Sequence, residues 1–196
     1  MGVSDNRLLR AIQNRLEKFY GLERTPDVRD FVHAVGDDQR ETLLVRESGD
    51  AVELALLLPR RALTAHAPID ADTMLQVIEG VSHFVYLAER VRTRLPTTRL
   101  ELELQAEVDK FVLLALDRGM LPAEDHAVLR EALYEHVRYL HDASSEDGAR
   151  YRLASQLASR YVQRFVRPAP HRALLAELRR FYRAGQTEKM RLASAA

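Results

Sequence analysis

Hydrophobic side chains recur at helical spacing along most of this chain. Leu8, Leu9, Ile12, Leu16 and Phe19 share one stripe over residues 5–20, and Gly21 stops it. A short helix is expected next, with Thr25 as its N-cap, Pro26 in the first turn, and Val28, Phe31, Val32 and Val35 facing inward. The period then changes. Residues 41–47 and 51–58 flank Ser48-Gly49-Asp50, and Val52, Leu54, Leu56 and Leu58 alternate onto one face, which predicts a β-hairpin. A lone hairpin is not stable by itself, so its apolar face must rest on helices.

The chain reads as helical from residue 70 onward. Asp70 or Asp72 can cap a long helix reaching about Arg94, with Met74, Val77, Ile78, Val81, Phe84, Val85, Ala88 and Val91 inward. Gly80 inside it costs about 1 kcal/mol relative to Ala, which points to a close approach by another helix or a ligand. Leu100 to Leu104 alternates, but Thr98 and Glu101 have capping-box spacing, and Leu104, Val108, Phe111, Val112 and Ala115 keep a helical period to Gly119. Pro122 opens a helix carrying Val128, Leu129, Leu133, Val137 and Leu140. After a polar connector over 143–149, Ser144 and Asp147 start another, with Ala154, Leu157, Ala158, Tyr161, Phe165 and Val166 inward. Pro170 begins the last, through Leu174, Leu175, Leu178, Phe181 and Tyr182 to Gly185. The fold class expected is mainly α (α+β). It is a single-domain bundle of six to seven helices over residues 1–190 with one hairpin at 41–58, and residues 191–196 form a frayed tail.

Composition narrows the chemistry. Of 196 residues none is cysteine, which excludes disulfide scaffolds, thiol nucleophiles and thiolate-held metal clusters. The 46% hydrophobic and 30% charged content belongs to a globular protein rather than a disordered one. No stretch has the form of a signal peptide or a bilayer span, so a cytoplasmic, membrane-free protein is expected. Only Lys18, Lys110 and Lys189 stand among 29 basic residues, an arginine bias that suggests a GC-rich, bacterial source.

The net charge of zero conceals a pattern. Residues 100–149 hold 4 basic and 12 acidic side chains, whereas residues 150–196 hold 11 basic and 2 acidic. Such asymmetry marks either a partner surface or two oppositely charged stretches paired inside one bundle. Arg160, Arg164, Arg167, Arg179 and Arg183 are therefore candidate anion-binding residues, with Tyr151, Tyr161, Phe181 and Tyr182 interleaved among them.

Catalytic signatures do not appear. There is no phosphate-binding glycine loop, no His-Glu-x-x-His and no Gly-x-Ser-x-Gly. One constellation stands out. Glu79, His83, Tyr86 and Arg90, at steps of four, three and four, share one face of a helix whose opposite face is strongly apolar. Glu79 can orient His83 or share a metal with it, and Glu103 and Glu107 are spaced to face them from the next helix. The ordinary alternative is a solvated face of i,i+4 pairs worth about 0.2–0.5 kcal/mol each. By exclusion, the function expected is a non-enzymatic interaction or regulatory protein without cofactor or assigned metal. It would bind a protein partner or a second copy of itself through a helical face or the hairpin edge. Binding of nucleic acid or a phosphate ligand by the C-terminal arginines is the first alternative, and a small metal-dependent enzyme at Glu79 and His83 is the second.

Overall fold

The computed structural model describes residues 7–23, 25–49, 51–64, 69–116, 123–137, 139–166 and 170–195. The chain is mainly helical with a small three-stranded sheet, and it divides into two compact units. One comprises the residues through Lys18 together with Leu22–Leu95; the other comprises Phe19–Gly21 and the chain from Pro96 onward.

The first unit opens with α1 (Arg7–Tyr20), all but its last two residues, burying Leu9, Ile12 and Leu16. Gln13 is buried on the same helix and fastens the following loop. Its Oε1 accepts from the Val28 backbone N–H at 2.9 Å, and its Nε2 donates to the Pro26 carbonyl at 2.7 Å. Gly21 ends α1 with φ of 64°, a conformation that glycine adopts without steric cost.

The helix expected after Thr25 does not form. Asp27, rather than Thr25, accepts from the Arg29 backbone N–H and starts a single 3₁₀ turn, Val28–Phe31. The chain then extends as β1 (Val32–Val35), which joins β3 (Ala51–Pro59) in parallel, Val32 opposite Leu56 and Ala34 opposite Leu58. The open edge of β3 supplies main-chain partners, and β-branched Val32 and Val35 suit an extended backbone, so tertiary pairing overrides the local helical spacing. The expected hairpin is present as β2 (Thr42–Ser48) and β3, with Leu43 opposite Leu56 and Val45 opposite Leu54. The full sheet is nonetheless three strands in the order β1-β3-β2, more than a hairpin.

After the single turn of α2 (Arg60–Leu63), α3 (Ala71–Arg92) starts at Asp70, which accepts from the Thr73 backbone N–H at 2.8 Å. This helix covers the sheet. Leu56 and Leu58 are fully buried, and a Cβ at Gly80 would stand 2.9 Å from Leu56 Cδ1 and 3.3 Å from Leu58 Cδ2. The close approach that the glycine signalled comes from the sheet. Phe31 and Phe84 close the same core with ring centroids 5.0 Å apart.

In the second unit, α4 (Arg99–Leu116) begins with the expected capping box. The Thr98 backbone N–H donates to Glu101 Oε2 at 2.9 Å, and the Glu101 backbone N–H donates to Thr98 Oγ1 at 3.2 Å. The stop expected at Gly119 and the start expected at Pro122 lie outside the described residues. α5 (Ala123–Tyr134) is shorter than its apolar pattern implies: Val137 and Leu140 lie beyond it and are exposed, and Val128 within it is 66% exposed. The buried Tyr134 is the anchor at its end, donating through Oη to the Glu107 carbonyl at 2.8 Å. α6 (Glu146–Val162) is capped by Ser145, whose Oγ accepts from the Gly148 backbone N–H at 3.0 Å. Ser144, the expected cap, bonds Asp142 instead. α6 runs into a 3₁₀ turn, Gln163–Phe165, and packs along α4. α7 (His171–Arg183) and α8 (Gln186–Ser194) follow. The last turn of α8 falls in the stretch read from sequence as a tail, and it buries Leu192 and Ala193.

Candidate functional site

On α3 the four polar residues chosen by spacing occupy the interior. Glu79 is 7% exposed, Tyr86 1% and Arg90 5%, with His83 half-buried between them. The helix therefore has two buried faces: an apolar one that meets the sheet through Gly80, and a polar one carrying a carboxylate, an imidazole, a phenol and a guanidinium. A solvated row of i,i+4 pairs is not what this face is. The donor atoms of Glu79 and His83 lie within 4.8 Å of each other, as one helical turn places them. Two turns further on, the Arg90 guanidinium sits over the Tyr86 ring, 5.0 Å from its centroid. Each of the four makes additional polar or ring contacts.

Burying a carboxylate costs several kcal/mol unless a cation, a metal or hydrogen bonds compensate it. A carboxylate beside an imidazole is also a donor set that suits zinc and the other divalent first-row ions. Glu103 and Glu107 belong to α4 in the second unit. There Glu103 lies 3.9 Å from Arg150 Nε, and Glu107 accepts from Lys110 Nζ at 2.7 Å.

The five C-terminal arginines serve different ends. Arg164 is committed to the fold: Nε donates to the Tyr161 carbonyl at 3.0 Å and Nη2 to the Leu192 carbonyl at 2.6 Å, with Glu177 3.5 Å away. Arg179 Nε donates to the Phe19 carbonyl at 3.0 Å, where α1 ends. Arg167 lies outside the described residues. Arg160 and Arg183 are exposed and have no hydrogen-bond or ion-pair partner among the described residues. The aromatic side chains interleaved with these arginines are mostly core: Tyr161 stacks on Phe181 at 3.9 Å and Tyr20 on Tyr182 at 4.1 Å.

Two features of the second unit were not visible in the sequence. One is a cleft of about 210 Å³ lined by Tyr134, Tyr139, Ser155, Gln156, Ser159 and Arg160. Positions 155, 156, 159 and 160 share a face of α6, and that spacing was the available signal; Tyr139 reaches the cleft from the irregular chain after α5. The other is a buried polar network. Lys189 Nζ donates to Gln105 Oε1 at 2.5 Å, and Gln105 Nε2 lies 2.9 Å from Asp109 Oδ1 and 3.1 Å from the Tyr20 hydroxyl. Tyr20 in turn donates to Asp109. Lys189 is wholly buried with its ammonium 4.2 Å from the Phe181 ring centroid, so a cation on an amphipathic-looking helix ends in the core. His126 is buried as well, its Nδ1 3.0 Å from the Phe165 carbonyl.

Among the described residues no helix is long and apolar enough to cross a membrane. No known family, curated protein or solved structure matches the chain.

Proposed function

We propose that the protein is a small metal-dependent enzyme in which Glu79 and His83 of α3 hold a divalent first-row ion. One observation carries this reading: the Glu79 carboxylate is buried at 7% exposure with its donor atom within 4.8 Å of an imidazole nitrogen of His83. Such a pair on a solvent-facing helix is commonplace; here the carboxylate is out of water, where a metal ion shared with the imidazole can add to whatever other partners it has. The spacing of one turn lets both side chains reach a common ion, and zinc, cobalt and manganese suit the mixed nitrogen and oxygen donors. A bound ion of this kind polarises an oxygen of its substrate or lowers the pKa of a bound water toward about 7. Tyr86 and Arg90 continue the same buried face, where the Arg90 guanidinium lies over the Tyr86 ring.

The test is titration calorimetry of the chelator-treated protein with zinc, cobalt and manganese chlorides. One ion per chain is expected, together with a raised unfolding temperature, since a ligand that binds the folded state stabilises it. His83→Ala and Glu79→Gln should each weaken binding about tenfold or more while circular dichroism stays helical. Wild-type protein that takes up no ion, or His83→Ala protein that retains full affinity, overturns the reading.

A second reading rests on β2. No strand pairs with its outer edge among the described residues, and Leu44 and Val45 on it are 50% and 46% exposed. An open edge with two exposed apolar side chains invites another strand, and the reading is a homodimer formed by β2 of a second copy. Sedimentation equilibrium checks it. A dimer that Leu44→Lys with Val45→Lys dissociates supports self-association through this edge, and a monomer at all concentrations removes it.

A further inference from the structure

The cleft on α6 lies in the second unit and plays no part in the metal reading. Its floor and walls are hydroxyls, an amide and two phenols, and Arg160 stands at its edge. Arg160 is exposed and makes no hydrogen bond or ion pair among the described residues, whereas most described arginines of the C-terminal stretch are bound to carbonyls or carboxylates. Two further guanidinium groups touch lining residues without lining the cleft themselves. Arg130 Nη1 donates to Ser159 Oγ at 2.7 Å, and Arg152 lies over the Tyr139 ring, 4.5 Å from its centroid. Glu135 is the acidic group paired with Arg130, at 2.5 Å, and it is absent from the lining.

The chemistry of the lining selects a ligand class. Hydroxyl and amide donors from Ser155, Ser159 and Gln156 suit oxyanion oxygens, and a guanidinium gives a planar fork that matches phosphate in two bonds. Arg130 holds Ser159 through its Oγ, which leaves the Ser159 O–H to point its proton at a ligand. A volume of about 210 Å³ is below that of sites for drug-sized molecules, so the occupant is one phosphate group with a small organic stem. Tyr134 and Tyr139 give that stem an aromatic wall. The Tyr134 hydroxyl is already spent on the Glu107 carbonyl, so its ring, not its O–H, is what it offers.

We infer that this cleft binds a small phosphate monoester, with Arg160 as the principal phosphate contact and Ser159 and Gln156 as supporting donors. Two features separate it from a diffuse basic surface. Arg160 lines the concavity beside hydroxyl and amide donors, and Arg183, equally exposed on α7, is not among its lining residues.

The test uses the full chain with inorganic phosphate and phenyl phosphate as probes, followed by calorimetry and by ³¹P line broadening. Phenyl phosphate should bind more tightly than inorganic phosphate, because the ring gains the tyrosine wall. Arg160→Ala should weaken both by about tenfold or more, the scale of losing a charge-assisted hydrogen bond. Arg183→Ala should leave both unchanged. Circular dichroism of the two variants confirms that each is folded. No binding of either probe at millimolar concentration overturns the inference, as does an Arg160→Ala protein that binds like wild type. An equal loss from Arg183→Ala overturns it too, since that is the signature of general charge attraction.

Discussion

The Tyr20 hydroxyl donates a hydrogen bond to Asp109 Oδ1 across 89 positions of sequence, and both residues are 1% exposed. This bond joins the last residue of α1 to the middle of α4 inside the second unit. Burial, and then the charge and hydrogen bond of Asp109, hold the Tyr20 phenol well above its ordinary value of 10.0, so the proton stays in place and keeps donating. Tyr20→Phe keeps the ring stack on Tyr182 but leaves Asp109 with one donor fewer. The expected loss is about 1–3 kcal/mol in urea unfolding at neutral pH. The pH dependence has a definite sign. A phenol whose folded pKa is raised contributes stability that is complete below the unfolded value and declines as pH rises past it. Stability of the wild type should therefore fall above about pH 10, and Tyr20→Phe should flatten that decline. A variant with the same alkaline slope as wild type contradicts this.

Among the described glycines, Gly148 is the least able to accept a side chain. A Cβ there would lie 1.8 Å from the Asp142 carbonyl oxygen and 2.8 Å from its carbon. Both are backbone atoms, so the turn from Asp142 to Ser145, and with it the Ser145 cap, has to move. Gly148→Ala is expected to cost about 3 kcal/mol, in spite of alanine's better helix propensity. Chemical denaturation measures it, and a loss under about 1 kcal/mol would show that the turn yields freely.

Gly80 makes a milder demand. Its neighbours are the methyl ends of Leu56 and Leu58, which can rotate. Gly80→Ala gains about 1 kcal/mol of helix propensity against a similar packing strain and should be near neutral. Gly80→Val is expected to cost about 2–3 kcal/mol. Leu56→Ala should recover part of that cost in a double-mutant cycle, because the two sites share one space. Strict additivity would place the strain elsewhere.

Asp27 gives the acid limb a local contribution. Its hydrogen bond from the Arg29 side chain, aided by the Arg29 backbone N–H, lowers its pKa from 3.8 to about 2. A carboxyl with a depressed folded pKa stabilises the fold above its unfolded value, and that stabilisation disappears as pH falls from 3.8 toward about 2. The group is partly exposed, so solvent screening keeps the effect under about 1 kcal/mol. Asp27→Asn should thus lie slightly below wild type at neutral pH and converge with it in that acid window, as followed by thermal unfolding. A gap that persists at low pH would assign the loss to the 3₁₀ turn rather than to charge.

Local chemistry made much of the architecture legible. The capping box of Thr98 and Glu101, the Asp70 cap and the Gly21 stop depend on neighbours within a few residues, and each forms as its spacing implies. The alternation over 51–58 also sufficed for β3, since period two fixes which side chains share a face. The segment 25–35 misled because its spacing suits a helix, while the partner that makes β1 a strand lies more than twenty residues away. The candidate stripe on α3 was likewise legible as a stripe. Periodicity aligns Glu79, His83, Tyr86 and Arg90, but it does not say whether water or protein lies against them.

Local sequence set the helical period, the starts of α3, α4 and α7, the hairpin and the clustering of charge. Tertiary structure alone decided the parallel addition of β1, the sheet as the neighbour of Gly80, the burial of Glu79 and Arg90, and the use of Lys189 as a core cation. It also decided which arginines are bound and which are exposed. The division has one physical cause. Capping, turn geometry and side-chain period are set by atoms a few bonds apart, whereas burial and partner choice depend on which distant surfaces meet, and one strand of sequence carries no measure of that distance.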